Sequence, residues 1–191
     1  MCVDPVNRAL YYGSHDDSGP IYRYDIDADT HAEWLSGHRF AGCYVDAKAK
    51  YVYWTTFTDG ELYRAELAGG GASGPGTVKL LASVPDAELR AVVHDEVADQ
   101  FYVTETKNNA VWRLDATTGE ATRMLDGDAA RLGAPYGLAL DTSDDALYIS
   151  DTGANCVWRC EITGRGLEKL EVFVEHFTSP PTGLAVQTKY G

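Results

Sequence analysis

The feature that most constrains the fold of this chain is a skeleton of residues that occurs four times. Each copy has an aspartate, a tyrosine seven residues later and an aromatic–arginine pair ten to twelve residues further on. The copies contain Asp4, Tyr11 and Arg23; Asp46, Tyr53 and Arg64; Asp95, Tyr102 and Arg113; Asp141, Tyr148 and Arg159. Repeats of this length built from short strands are typical of propeller blades. The sequence therefore predicts an all-β fold, a β-propeller with one four-stranded antiparallel blade per copy.

Turn-forming residues separate the strands within each copy. Between the second and third strands stand Asp59-Gly60, Asn108-Asn109 and Gly153-Ala154-Asn155, which are hairpin signals. The stretch 69–76, rich in Gly, Ala and Ser, reads as a long loop inside the second blade. We expect a single propeller segment over 1–191, with blades at approximately 1–36, 40–83, 89–126 and 135–176.

A fifth blade is expected to begin at 180–187, because this stretch repeats the sequence that opens the fourth blade at 135–140. A ring of six blades needs about 270 residues at roughly 45 residues per blade. An open ring would expose two strand edges, which soluble proteins avoid. We therefore expect that further residues of the same polypeptide, or another subunit, complete the ring.

The charge balance and the lengths of the apolar runs argue against nucleic-acid and membrane partners. The chain has 29 acidic and 16 basic residues and a formal net charge of −13, which repels nucleic acid and anionic lipid. Its apolar runs are shorter than the roughly 18–20 residues that a membrane span needs. We expect no nucleic-acid partner and no membrane span.

The four cysteines do not have the spacing of a zinc site, and no cofactor is expected. Cys156 and Cys160 fall in one predicted strand, where their Cα atoms would be about 13 Å apart, too far for a disulfide. With Cys2 and Cys43, the sequence favours four free thiols and leaves the cellular compartment open.

Short motifs within the repeats resemble those of known propeller families. Tyr53-Trp54-Thr55-Thr56 and Tyr148-Ile149-Ser150-Asp151 resemble the YWTD repeat of low-density-lipoprotein-receptor-type propellers, and 151–155 is similar to the turn of NHL repeats. The resemblance implies a six-bladed propeller. Families of this kind include extracellular ligand-binding modules and a few enzymes, so an extracellular protein is slightly favoured. The acid that braces adjacent blades in the YWTD family is kept only at Asp151.

Comparison between the repeats separates scaffold positions from candidate binding positions. The repeated tyrosines and arginines should pack or hydrogen-bond between blades. The inner-strand entry loops and the turns between second and third strands, where equivalent positions differ, form the usual ligand face of a propeller. Aromatic residues and arginine dominate protein interfaces. The candidate partner-binding residues on this face are Phe40, Phe57, Arg90, Tyr136, His15, Glu105 and Lys107.

Three functions remain open at this point. The favoured one is a non-enzymatic scaffold or binding module that presents this loop face to a protein or glycan partner, within a larger polypeptide or assembly. The second is a calcium-dependent lactonase, hydrolase or lyase, because regucalcin-type lactonases look similar and Asp151 matches one of their calcium ligands. Tyr136 and Thr182 stand where that family needs asparagine. The third is a structural propeller that pairs through the edge at 184–186. We predict no catalytic residue in this chain and no metal ligand except Asp151 as a weak candidate.

Overall fold

The computed structural model describes residues 1–13, 19–46, 48, 50–67 and 74–186, with the side chain of residue 128 left aside. It contains four sheets, each with its four strands hydrogen-bonded in chain order. The strands are β1 (Cys2–Asp4), β2 (Ala9–Gly13), β3 (Ile21–Asp25), β4 (Thr30–Leu35), β5 (Cys43–Asp46), β6 (Tyr51–Thr55), β7 (Glu61–Glu66), β8 (Val78–Ser83), β9 (Leu89–Asp95), β10 (Gln100–Glu105), β11 (Ala110–Asp115), β12 (Ala121–Leu125), β13 (Pro135–Asp141), β14 (Ala146–Asp151), β15 (Cys156–Thr163) and β16 (Gly166–Glu175). The prediction of four four-stranded antiparallel blades is confirmed.

The chain divides into two compact units, one of residues 1–92 with 117–119 and the other of residues 93–116 with 120–191. A four-residue helix, α1 (Gly127–Ala130), follows β12. Within the described ranges, no helix is long and apolar enough to cross a membrane.

The aspartate that opens each repeat shapes the turn between the first and second strands. The carboxylate of Asp4 accepts hydrogen bonds from the backbone N–H of Val6 and Asn7, at 3.0 Å each. Asp95 and Asp141 accept from the N–H two residues ahead in the same way. Four residues after the aspartate, each turn has a residue with positive φ: Arg8, Lys50, Asp99 and Asp145. Asp and Asn side chains commonly close turns in this manner, which explains why the position repeats.

The turns between the second and third strands also share one backbone conformation. Each contains a residue with φ between 52° and 64°, namely Gly60, Asn109 and Asn155 in the second, third and fourth sheets. Glycine and asparagine tolerate this left-handed region best. The predicted hairpin turns at these positions are confirmed.

The repeated tyrosine and arginine face each other across the second and third strands. The opposed pairs are Tyr11 with Arg23, Tyr53 with Arg64, Tyr102 with Arg113, and Tyr148 with Arg159. Arg23 forms an ion pair with Asp25 at 3.2 Å, and Arg159 with Asp144 at 2.7 Å. Each of these partners belongs to the same blade as its arginine. The ion pairs of Arg23 and Arg159 thus form within a blade, whereas the expectation that the repeated tyrosines and arginines pack between blades stays a prediction.

A hydroxyl group at the end of the second strand ties neighbouring blades together. The bonds run from Thr55 Oγ1 to the carbonyl of Arg90 (2.6 Å), from Thr104 Oγ1 to that of Tyr136 (2.7 Å), and from Ser150 Oγ to that of Thr182 (3.2 Å). In the first sheet this position is Gly13, where a Cβ atom would lie 2.6 Å from the ring of Phe40. The Phe40 ring thus occupies the space that a hydroxyl would need.

An aromatic cluster fills the core between the first two sheets. The Tyr11 and Trp34 rings meet edge-to-face at 4.9 Å, and Trp34 meets Trp54 at 6.4 Å. Trp54 is in turn stacked on Tyr63 at 5.5 Å. Edge-to-face and offset stacked pairs are the favoured arrangements of aromatic rings. The face of the first sheet is therefore covered by large side chains of the second.

Two of the four cysteines form a disulfide, so the prediction of four free thiols is wrong. Cys2 on β1 is bonded to Cys43 on β5, with their Cα atoms 5.6 Å apart. These two cysteines lie in the inner strands of consecutive blades, which the repeat places side by side. Cys156 and Cys160 are free and buried, as predicted. Burial raises the pKa of the Cys156 thiol to about 11 and that of Cys160 to about 12.

The fourth sheet and the segments outside the regular strands complete the description. The outer strand of the fourth sheet begins at Gly166, because Thr163 already pairs with Gly166 across a tight turn. Residues 180–186 follow this sheet but form no strand, although the Thr182 carbonyl accepts a hydrogen bond from Ser150 Oγ. Part of the long loop at 69–76 and the last residue of 180–187 lie outside the described residues.

Candidate functional site

The turn between β6 and β7, residues 56–60, carries one of the predicted binding residues and is held from both ends. We call it the Phe57 turn. The Thr56 N–H donates to the Glu61 carbonyl (2.9 Å), and the Glu61 N–H donates to Thr56 Oγ1 (3.0 Å). The Gly60 carbonyl accepts from the N–H of Val84 (2.8 Å). These three bonds fix the backbone on either side of Phe57.

Arg90 lies directly over the ring of Phe57. Its guanidinium carbon is 3.7 Å from the ring centroid, well within the range of a cation–π contact. Both side chains are half-buried. The Arg90 carbonyl is held by Thr55, so its backbone is fixed next to the same strand that leads into the turn. The structure therefore brings together two of the predicted binding residues, Phe57 and Arg90, in one rigid cluster.

A second arginine reaches the other side of the Phe57 turn. Arg39 Nη1 donates a hydrogen bond to Thr58 Oγ1 and lies 3.8 Å from the carboxylate of Asp59. The Arg39 side chain is 46% exposed. Arg39 was not among the predicted binding residues, although it precedes Phe40 in the same entry loop. The sequence signal for it is the Thr58-Asp59 pair, which offers the arginine a hydroxyl and a carboxylate.

His38, next to Arg39, belongs to the packing beneath the turn. Its ring meets Trp54 at 5.3 Å and Tyr63 at 4.7 Å, edge-to-face in both cases. Desolvation by these rings lowers the pKa of His38, although the Glu61 carboxylate opposes this effect. A neutral imidazole packs on aromatic rings without the cost of burying a charge. His38 thus supports the loop that displays Arg39.

The other predicted binding residues have different environments. Phe40 is half-buried and packs against the core cluster of the first two sheets. Tyr136 is half-buried, and its carbonyl accepts the Thr104 hydroxyl bond. Lys107 is exposed in the turn after β10. His15 lies outside the described residues.

Glu105 was predicted to bind a partner, but the structure places it in the interior. Its side chain is fully buried, and the carboxylate oxygens accept the backbone N–H of Asn108 at 2.9 and 3.2 Å. A side chain without exposed surface does not contact a partner directly. Glu105 instead braces the β10–β11 turn, because a buried carboxylate is retained only where hydrogen bonds compensate its lost hydration.

Asp151, the weak metal candidate, holds two loops together. Its carboxylate accepts backbone hydrogen bonds from Gly133, Ala134, Gly153 and Ala154 at 2.7 to 3.0 Å. The indole N–H of Trp158 donates a fifth bond at 3.1 Å. A metal ion would have to displace these donors to use the same lone pairs. Across the described ranges, no group of three or more His, Cys, Asp or Glu residues is arranged to hold a metal ion.

Comparison with known proteins extends these observations on the fold. No family model matches the chain, and no curated protein matches it. Among solved structures, the chain is similar to a chain of a nidogen–laminin complex, with a TM-score of 0.79 and 16% identity over 97% of this chain and 67% of the other. A gluconolactonase of Xanthomonas campestris has a TM-score of 0.77 and 17% identity, over 97% and 65%.

The chain has a β-propeller fold. The four antiparallel sheets in chain order and the likeness over nearly the whole chain agree on this architecture. The chain spans about two thirds of the length of these structural relatives. A luciferin-regenerating enzyme is also similar, with a TM-score of 0.73, 11% identity and coverage of 96% and 64%. At such identities the likeness concerns the fold alone.

Proposed function

We propose that this chain is a non-enzymatic propeller module that presents the Phe57 turn to a protein or glycan partner. The observation that carries the proposal is the Arg90–Phe57 stack on a turn whose backbone is fixed at both ends. Arg39 extends the same surface. The chain would act within a larger polypeptide or assembly that completes the propeller ring. An extracellular location fits the Cys2–Cys43 disulfide, because disulfides persist in oxidising compartments.

The chemistry of the cluster suits recognition. An aromatic ring with a stacked guanidinium offers a flat apolar surface and several N–H donors at one place. Phenylalanine and arginine are both enriched in protein interfaces, and arginine is also enriched among the residues that dominate binding free energy. Because Phe57 and Arg90 already contact each other, little side-chain entropy would be lost when a partner binds. The positive charge of Arg90 also contrasts with the net charge of −13 of the whole chain.

The test replaces Phe57 by a photo-crosslinking phenylalanine analogue, so that only molecules at the turn are labelled. The probes are an array of defined glycans and a panel of purified extracellular-matrix proteins that includes laminin. We expect one probe to crosslink at position 57 but not at Val97, a strongly exposed control residue. The binding constant for that probe should then weaken at least tenfold in Phe57→Ala and in Arg90→Ala. Equal binding by these variants and Val97→Ser would refute the proposal.

A calcium-dependent lactonase remains the alternative function, and the likeness to a gluconolactonase is the observation that favours it. The five donors around Asp151 argue against calcium at that carboxylate in the described part of the chain. Calorimetric titration of calcium into the protein and into Asp151→Asn separates the two functions. Tight binding that the variant loses, with hydrolysis of an aldonolactone, would favour the enzyme.

A further inference from the structure

The fourth sheet carries a pair of aromatic rings that repeats a pair in the first sheet. Tyr148 and Phe173 meet edge-to-face at 5.0 Å and 69°, and Tyr11 and Trp34 meet edge-to-face at 4.9 Å and 67°. Tyr148 occupies the same repeat position as Tyr11. Phe173 and Trp34 are both the extra residue at a bulge between the third and outer strands. The two pairs are therefore equivalent in position and in geometry.

In the first sheet this aromatic pair is covered by the next blade. Trp54 of β6 lies edge-to-face against Trp34, and the two indoles are 0% and 4% exposed respectively. Behind Trp54 stands Tyr63 of β7, stacked parallel to it. The cover is thus a β-hairpin, β6–β7, that places one large aromatic residue over the pair.

In the fourth sheet the equivalent pair is open. Phe173 is 56% exposed, and Tyr148 is half-buried although Tyr11, Tyr53 and Tyr102 are buried. A cavity of about 310 Å³ lies over the pair, lined also by Val157, Val174 and 184–186. Val172, on the same strand, is 45% exposed but does not line the cavity. An open apolar surface of this kind is a typical interaction site.

Residues 182–186 lie beside the fourth sheet in the way that the inner strand of the next blade lies beside the second sheet. The Thr182 carbonyl accepts a bond from Ser150 as the Arg90 carbonyl does from Thr55. A Cβ atom on Gly137 would lie 2.4 Å from the Thr182 carbonyl oxygen, and one on Gly42 would lie 2.1 Å from that of Arg90. Residues 184–186 therefore stand where an inner strand stands in the preceding blades. Among the residues that the structure describes, no second strand pairs with them as Trp54 of β6 pairs with Cys43 in the second sheet.

We infer that the open surface formed by Tyr148, Phe173 and 184–186 binds a β-hairpin of a further blade of the same repeat. The hairpin would pair with 184–186 and lay an aromatic side chain, equivalent to Trp54, over Phe173. A whole blade from a second copy does not fit, because its own inner strand would require the place that 184–186 occupy. The inference refines the ring-completion part of the proposed function and is independent of the Phe57 turn.

The test uses the 191-residue chain and a labelled peptide with the sequence of residues 50–67, which forms the β6–β7 hairpin here. The peptide is closed by a terminal disulfide, because isolated hairpins are marginally stable in water. Fluorescence anisotropy should show saturable binding to the chain, at least tenfold weaker binding to Phe173→Ser, and unchanged binding to Val172→Ser. A peptide with serine in place of Trp54 and Tyr63 should not bind.

Three results would overturn the inference. They are the absence of saturable binding to the unmodified chain, equal binding to the Phe173→Ser and Val172→Ser variants, and self-association of the chain that Phe173→Ser abolishes. The last result would identify a second copy as the occupant. Loss of the Phe57-turn interaction has no bearing on these outcomes, so the two proposals fail separately.

Discussion

At the residue scale, the hydroxyl group at the end of the second strand links two blades through a single side chain. Thr55 Oγ1 accepts a bond from the Gly42 N–H at 3.0 Å and donates one to the Arg90 carbonyl at 2.6 Å. The side chain is completely buried. Since Arg90 belongs to the candidate site, this bond connects the core to the candidate binding surface.

We expect Thr55→Val to destabilise the protein by about 1–3 kcal/mol, the usual cost of leaving buried hydrogen-bonding groups without partners. Thr55→Ser keeps the hydroxyl, as the natural Ser150 does in the fourth sheet, and serves as the control. Urea unfolding followed by circular dichroism measures both. If the serine variant loses as much stability as the valine variant, packing of the methyl group and not the hydroxyl is responsible.

A second residue-scale prediction concerns Asp141 and acid. The hydroxyl and N–H of Ser143 bond to this carboxylate and lower its pKa below the ordinary value. A lowered pKa in the folded state stabilises the protein above the unfolded-state pKa, and this contribution is lost as the pH falls through the folded-state pKa. Asp141→Asn should therefore flatten the fall in Tm below about pH 4, the ordinary range of aspartate.

Thermal unfolding at a series of pH values between 2 and 7 checks this prediction. The asparagine variant should retain most of the stability at pH 7, because its side-chain oxygen accepts the same bonds. Ser143→Ala, which removes the hydroxyl, should shift the acid transition in the same direction by a smaller amount. Identical curves for the three proteins would contradict the assignment.

At the element scale, the Phe57 turn depends on one glycine. Gly60 has a φ of 64°, and a Cβ atom there would lie 2.2 Å from the carbonyl oxygen of Val84. Gly37 also has a positive φ, 78°, but a Cβ atom there would meet nothing within 4 Å. The two glycines thus separate backbone preference from a steric clash.

We expect Gly37→Ala to cost roughly 1–2 kcal/mol, the penalty for a left-handed conformation with a Cβ atom. Gly60→Ala should cost clearly more and should also weaken partner binding at the turn, since the loop must move away from Val84. Chemical unfolding of both variants measures the difference in free energy. Equal losses would mean that the turn relaxes without strain.

At the scale of the whole molecule, the Cys2–Cys43 disulfide links the inner strands of two blades across a sequence separation of 41 residues. A cross-link of this span removes conformational entropy from the unfolded chain worth about 4 kcal/mol in the chain-entropy model. The strand that it anchors, β1, has only three residues. The disulfide therefore anchors the shortest strand of the first blade.

We expect two titratable thiols, those of Cys156 and Cys160, when the unreduced protein is denatured and treated with a thiol reagent. The Cys2→Ser/Cys43→Ser double variant should also give two thiols, and its unfolding midpoint in urea should be lower. Four reactive thiols in the unreduced, denatured wild-type protein would show that the cysteines do not pair.

Much of the fold could be predicted from the sequence because each blade is built from local contacts. The Asp turn, the left-handed residue of the next turn and the cross-strand Tyr–Arg pair all lie within one repeat. Four copies of the same local pattern make the strand order unambiguous. Candidate residues such as Phe57 and Arg90 were also within reach, since they occupy positions where equivalent turns and entry loops differ.

Only the tertiary structure decided which residues meet across blades. Arg90 stacks on Phe57, Arg39 reaches Thr58, and Cys2 bonds to Cys43, and each pair joins residues of different blades or loops. The repeat places such segments side by side but does not specify which side chains touch. Burial is decided in the same way. Glu105 is buried under its own turn, and Phe173 is exposed although the equivalent Trp34 of the first sheet is buried. The exposure of such a side chain depends on neighbours far along the chain.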